Sequence, residues 1–196
     1  MKKILSRDNR GFSLIELIVV VLIMAIISGG AIIAFNSIFS NQATAAAKSI
    51  ASALKQTRAY ALGKENNTYN DKRTDIYAKF YNSGSTLVVD VCRKEADGSE
   101  TVLHNQTVSG EVFKVKFLKV TGTTETEPIT MGDSDTIRLY FKKSTGGVSA
   151  AEKNNATDGI VTGINKIRVY RSSNTSNYQD LVLVELTGRC YLDSTT

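Results

Sequence analysis

An α+β fold is predicted, with one long N-terminal helix and a C-terminal domain of antiparallel β-sheet. Three observations predict it. The stretch FSLIELIVVVLIMAIISGGAIIAF, residues 12–35, holds only Ser13, Glu16 and Ser28 as hydroxyl-bearing or charged side chains. After it, apolar residues recur at spacings of three and four as far as Ala61, the period of a helix face. From Ile76 onward the period changes to two, that of half-buried strands.

At 196 residues the chain has room for one globular domain of ordinary size plus an appendage. An apolar fraction of 42 % and a charged fraction of 22 % mean that the body should fold rather than stay disordered. The formal charge is +5, but Lys2, Lys3, Arg7 and Arg10 against Asp8 place +3 in the first ten residues and leave +2 for the rest. That weakens the nucleic-acid reading that a pI near 9.1 would invite. Two cysteines, Cys92 and Cys190, exclude a multi-cysteine zinc site and a dense disulfide framework.

The first element, a basic leader before an apolar run, has three readings. A secretory signal peptide wants a short apolar core and then a small-residue cleavage site. Ser28-Gly29-Gly30-Ala31 imitates such a site, but Ile32, Ile33 and Phe35 carry the apolar pattern past it. A signal anchor fits the length, since about 20 apolar residues at about 1.5 Å each span a bilayer core. The basic flank would then hold the N-terminus in the cytoplasm. Neither reading accounts for Glu16, a carboxylate that costs on the order of 3 kcal/mol at mid-bilayer unless hydrated or paired.

Read after the leader and before the apolar helix, Arg10-Gly11-Phe12-Ser13-Leu14-Ile15-Glu16-Leu17 resembles the type III signal of type IV pilins and type II secretion pseudopilins. The resemblance implies cleavage between Gly11 and Phe12 by a prepilin peptidase on the cytoplasmic side, followed by N-methylation of Phe12. It also implies that Glu16 pairs with the N-terminal amine of a neighbouring subunit. The chemistry is consistent, because glycine before the cut leaves the backbone bare for a protease groove. Two opposite charges, each poorly tolerated in lipid, would set the register of neighbouring helices. The chain lacks the proline that many members carry within the apolar helix, and Gly29-Gly30 is its weakest helical point. Four segments follow: a cleaved leader (1–11), a transmembrane and filament-core helix (12–35), an amphipathic continuation (36–63) and a pilin-like β-sheet domain (64–196).

The continuation places Phe39, Ala43, Ala46, Ala47, Ile50, Leu54, Thr57 and Ala61 on one face, read as packing against the body, with Gly63 as the stop. Strands are then expected around Ile76, Ala78 and Phe80, and around Leu87, Val89 and Val91. Further strands are expected at 102–108, at Phe113, Val115 and Phe117, and at Ile137, Leu139 and Phe141. The last two fall at Ile167 and Val169 and over 181–186. Turns fall at 82–85 and at Asp97-Gly98. Residues 121–135 and 147–163 read as irregular loops. The helix end Leu54-Lys55-Gln56-Thr57-Arg58-Ala59-Tyr60-Ala61 and the closing Leu183-Val184-Glu185-Leu186-Thr187-Gly188-Arg189, with the order Phe141, Gly146-Gly147, Ile167-Arg168-Val169 between them, resemble the H-type (fimbrial-T-like) minor pilins in particular.

No catalytic, cofactor or metal motif stands out. Lone His104 has no Ser or Cys partner at a motif spacing, and Glu125, Glu127, Asp133 and Asp135 lack the spacing of an EF-hand loop. Cys92 and Cys190 lie near strand ends in the extracytoplasmic part, where a bridge and two buried free thiols are both open readings. The expected function is structural rather than enzymatic: a minor (pseudo)pilin, assembled into an extracytoplasmic filament from a single-pass precursor in the cytoplasmic membrane. Its partners would be other pilin subunits and the prepilin peptidase. The alternatives are a major pilin, or a DNA-binding competence-type pilin using Lys114, Lys116, Lys119, Lys142, Lys143, Arg168 and Arg171. Which machine the filament serves is not written in the sequence.

Overall fold

The computed structural model describes residues 13–63, 73–108, 113–154, 159–171 and 174–193, with residues 29–40, Asn174, Ser176 and Asn177 described by their backbone alone. The chain forms two compact units, Met1–Phe39 and Ser40–Thr196. The leader, with Gly11 and Phe12, lies outside the described residues.

One helix, α1 (Leu14–Ala61), accounts for the whole N-terminal pattern and runs through Gly29-Gly30 without a break. Its first hydrogen bond runs from the Leu17 N–H to the Ser13 carbonyl at 3.2 Å. At its other end the Gly63 N–H donates to the Tyr60 carbonyl at 2.9 Å, closing a tight last turn. A Cβ at Gly63 would sit 2.9 Å from that carbonyl, which is why glycine ends the helix.

The second unit holds ten strands in two antiparallel sheets. The first sheet has the order β3-β2-β1-β6-β7, from β1 (Ile76–Ser83), β2 (Thr86–Lys94), β3 (Glu100–Thr107), β6 (Ile137–Phe141) and β7 (Val148–Lys153). The second has the order β10-β9-β8-β4-β5, from β4 (Phe113–Thr121), β5 (Thr124–Thr130), β8 (Lys166–Arg171), β9 (Asn174–Leu183) and β10 (Cys190–Leu192). Alternation sends Ile76, Ala78 and Phe80 of β1, and Phe113, Val115 and Phe117 of β4, into a common core. Phe80 meets Phe117 edge-on at 5.1 Å between ring centres, which joins the two sheets. Ala43, Ala46, Ala47, Ile50, Leu54 and Ala61 of α1 close the same core. Thr57 on that face is fully buried, and its hydroxyl donates back to the Ala53 carbonyl at 2.8 Å.

The antiparallel β body expected from the sequence is present, built of two sheets. Three expectations need correction. Residues 121–135 are irregular only from 131 onward: a turn at Gly122 (φ 61°) leads into edge strand β5, whose polar residues are exposed on both faces and leave only Ile129 as an inward signal. Pro128 is tolerated there because an edge strand has one unpaired side. Residues 147–163 contain β7, a buried strand of small side chains that lacks the usual β-branched signature. Residues 181–186 do not form one strand, because β9 ends at Leu183 and the Gly188 N–H donates to the Val184 carbonyl at 2.7 Å in a turn.

Candidate functional site

In the first unit, Ser13 stands just before α1 and Glu16 is the third helical residue. That spacing, Ser-x-x-Glu, is the one that caps a helix start, a signal the sequence reading passed over. A carboxylate in the first turn also complements the positive end of the helix dipole. The Glu16 side chain is exposed, and so is every large apolar side chain from Leu14 (78 %) to Ile27 (65 %). Even the least exposed of these, Val20, is 46 % open, so the helix is apolar all round rather than on one stripe. An apolar surface of this kind marks an interaction with lipid or with other helices. Among the described residues, no helix is long and apolar enough to cross a membrane. Residues 14–28, whose side chains are described, extend about 22 Å at the helical rise, against a bilayer core of about 30 Å.

In the second unit, the charged residues singled out in the sequence are largely paired with one another. Lys114 meets Asp133 at 3.0 Å, Lys116 meets Glu127 at 2.9 Å, and Arg168 grips Asp180 through two nitrogens, both at 2.8 Å. Glu125 bonds both Lys166 (2.8 Å) and Arg168 (3.1 Å). Asp135 is bound by Lys153 (2.6 Å), the Asn154 amide (2.6 Å) and the Gly132 N–H (2.7 Å), and these hydrogen bonds hold its carboxyl down at about 2. The acidic run is therefore a set of lysine partners, and no cluster suited to a metal occurs among the described residues. The proposed basic face divides: Lys114, Lys116 and Arg168 are neutralised by nearby acids, while Lys119, Lys142 and Lys143 line a different place, a cleft of about 910 Å³.

Cys92 and Cys190 are not bridged; both are buried free thiols. Cys92 lies on the outer face of the first sheet with Tyr77, Tyr140 and Ala150, its thiol 3.7 Å from Glu100 Oε1. Cys190 faces the central core, where its thiol donates to the Ala51 carbonyl at 3.4 Å. They belong to different sheets and to separate clusters, which removes the geometry a bridge needs. His104 sits half-buried on β3 opposite Val91, with Nε2 buried and without a hydrogen-bond partner among the described residues.

One constellation escaped the sequence reading, and for another the segments were singled out but not their contact. On the first sheet, Glu100 accepts from Tyr77 (2.5 Å) and Lys79 (2.5 Å) and meets Arg138 at 3.5 Å, while Tyr140 donates to Glu152. At the end of α1, the Arg58 Nε donates to the Thr187 carbonyl at 2.5 Å, and the turns at Gly146-Gly147 and Gly188 interlock beside it. A Cβ at Gly147 would lie 2.1 Å from the Glu185 carbonyl oxygen, and one at Gly188 only 1.6 Å from the Gly146 carbonyl oxygen. The first constellation joins residues of four strands, and the Arg58–Thr187 contact joins segments about 130 residues apart, so neither contact leaves a spacing to read.

Residues 6–32 match the family described as the prokaryotic N-terminal methylation motif, which marks type IV pilin-like and pseudopilin precursors. No curated protein and no solved structure matches the chain.

Proposed function

We propose that this chain is a minor subunit of a type IV pilus or type II secretion pseudopilus, with a structural rather than a catalytic role. The observation that carries this reading is the methylation motif over residues 6–32, continued by a helix whose apolar side chains are exposed on every side. Such a surface calls for lipid before assembly and for other helices after it. The precursor crosses the cytoplasmic membrane once through residues 12–35, N-terminus inside. A prepilin peptidase cuts between Gly11 and Phe12, Phe12 is N-methylated, and the product enters an extracytoplasmic filament through its helix.

Within the filament, Glu16 pairs with the Phe12 amine of a neighbour. Burying either charge alone costs about 3–5 kcal/mol, so the pair selects one stagger between helices. The H-type minor subclass is the finer reading. It is supported by the meeting of Arg58, Gly146-Gly147 and Thr187-Gly188, the segments whose resemblance suggested it. The DNA-binding alternative has less support, because Lys114, Lys116 and Arg168 already have acidic partners.

Intact-mass and N-terminal peptide analysis of the protein from its native membrane tests the reading. The expected product starts at Phe12 and is heavier by one methyl group. An uncut chain from Met1 would refute the processing. Glu16→Ala should leave cleavage intact and abolish incorporation into filaments; normal incorporation would refute the pairing.

A further inference from the structure

Beside the end of α1 the second unit holds a cleft of about 910 Å³ that the function proposed above does not use. Its walls come from five separate segments: Leu62 after the helix, Lys119 on β4, the stretch from Lys142 to Ser149, Thr162-Gly163, and Glu185. Its lining combines lysines with the exposed apolar side chain of Leu62. Among the described residues, neither Lys119 nor Lys142 has an ion-pair partner, in contrast to the paired cations of the second sheet's outer face. The stem of Lys119 is laid over Gly163, where a Cβ would come within 3.2 Å of Cε.

The feature that points to a ligand is Ser149. It is only 5 % exposed, it lines the cleft, and its hydroxyl has no hydrogen-bond partner among the described residues. An orphaned buried hydroxyl carries a desolvation cost that a native structure seldom leaves uncompensated. The strand register explains how it comes to be there. β6 and β7 pair Tyr140 with Ala150 but Phe141 with Val148, so Ser149 is the extra residue of a β-bulge with no partner opposite. Bulges re-aim a side chain that regular pairing would send elsewhere.

We infer that this cleft binds an acidic peptide segment of a partner protein. A peptide fits better than a compact anion for three reasons. The volume is many times that of a phosphate group. The cations are lysines, point charges on flexible stems without the fork that grips a phosphate in two places. Glu185 in the lining would repel a dense polyanion such as nucleic acid, yet it can accept from a peptide N–H. Lys119 and Lys142 take separated carboxylates, Leu62 takes an apolar side chain, and the Ser149 hydroxyl donates to a carbonyl or carboxylate oxygen. The inference does not rest on the filament reading and fails separately from it.

The test is fluorescence anisotropy with the full chain in neutral detergent micelles and a labelled hexapeptide of glutamates interrupted by leucines. Binding is expected at low salt and should weaken as salt is raised. The double variant Lys119→Gln/Lys142→Gln should lose about tenfold in affinity. Ser149→Ala should lose about threefold while raising the melting temperature, because the orphan hydroxyl is gone. That opposition separates a ligand-binding serine from a structural one. Lys114→Gln, on the other sheet face, should change nothing. Absence of binding at low salt would overturn the inference. So would an equal loss in Lys114→Gln, or displacement of the peptide by inorganic phosphate at comparable concentration.

Discussion

Glu100 organises the outer face of the first sheet. It begins β3, yet it accepts from Tyr77 and Lys79 of β1 and pairs with Arg138 of β6, so one carboxylate ties three strands. Arg138 also stacks over the Tyr77 ring at 5.6 Å, which holds the guanidinium in place for Glu100. The carboxyl, despite being drawn up by burial, is held below its usual range by Lys79 and Tyr77. Cys92 feels the same cluster from the other side. Burial first, then the charges of Glu100 and Asp90, pushes its thiol up to about 12, and burial also raises Cys190. Thiolate is the reactive form, so at pH 8 only about one Cys92 in ten thousand is nucleophilic in the folded chain. Each further pH unit should raise the thiolate fraction, and with it alkylation, about tenfold until that raised value is reached. Native protein treated with iodoacetamide at pH 8 should therefore gain no mass, and denatured, unreduced protein should gain two adducts. Adducts on the native chain would contradict the burial, and none after denaturation without reductant would mean the two cysteines are bridged after all.

At the scale of elements, legibility followed the strength of the periodic signal. The helix was readable almost to the residue because an unbroken apolar run passes directly into a helical stripe and Gly63 ends it. β1, β2, β4, β6 and β8 were readable because one face of each enters the core. β5 was not, since an exposed edge strand has no buried face to impose alternation, and β7 was not, since it is buried on both faces and its alanines and serine carry no β-branched signature. The same limit applied to the sites. Glu16 was legible because its cost inside an apolar run is local, whereas the Ser149 bulge and the Arg58–Thr187 contact arise only from chain closure. The interlocked glycine turns are the part of that closure most exposed to substitution. Gly188 has φ 63° and no room for a Cβ, so Gly188→Ala combines backbone strain with a clash against the Gly146 carbonyl and should cost about 3 kcal/mol or more. Gly84 has nearly the same φ, 62°, but open space around it, so Gly84→Ala should cost only about 1 kcal/mol. Denaturant titration of the two variants separates strain from packing. Equal losses would mean that the interlock contributes nothing.

For the molecule as a whole, the division between its two units is a division of labour that can be cut. The core of the second unit begins at Ala43, and the described side chains before residue 29 are all exposed. A fragment of residues 40–196 therefore keeps every buried core residue and discards the apolar run that needs lipid or partner helices. It should be soluble without detergent and unfold in one cooperative transition. Cutting further, to residues 64–196, removes Ile50 and Leu54, both fully buried, together with the alanine face that lets the sheets approach the helix. Losing one such large side chain costs about 2–5 kcal/mol, and a domain is stable by only about 5–15 kcal/mol, so the shorter fragment should not fold. The pair of fragments makes the outcome decisive when followed by circular dichroism and thermal melting. If the longer fragment aggregates, the N-terminal unit is part of what stabilises the body. If the shorter one folds, the amphipathic half of α1 is a passenger on the sheets rather than a wall of their core.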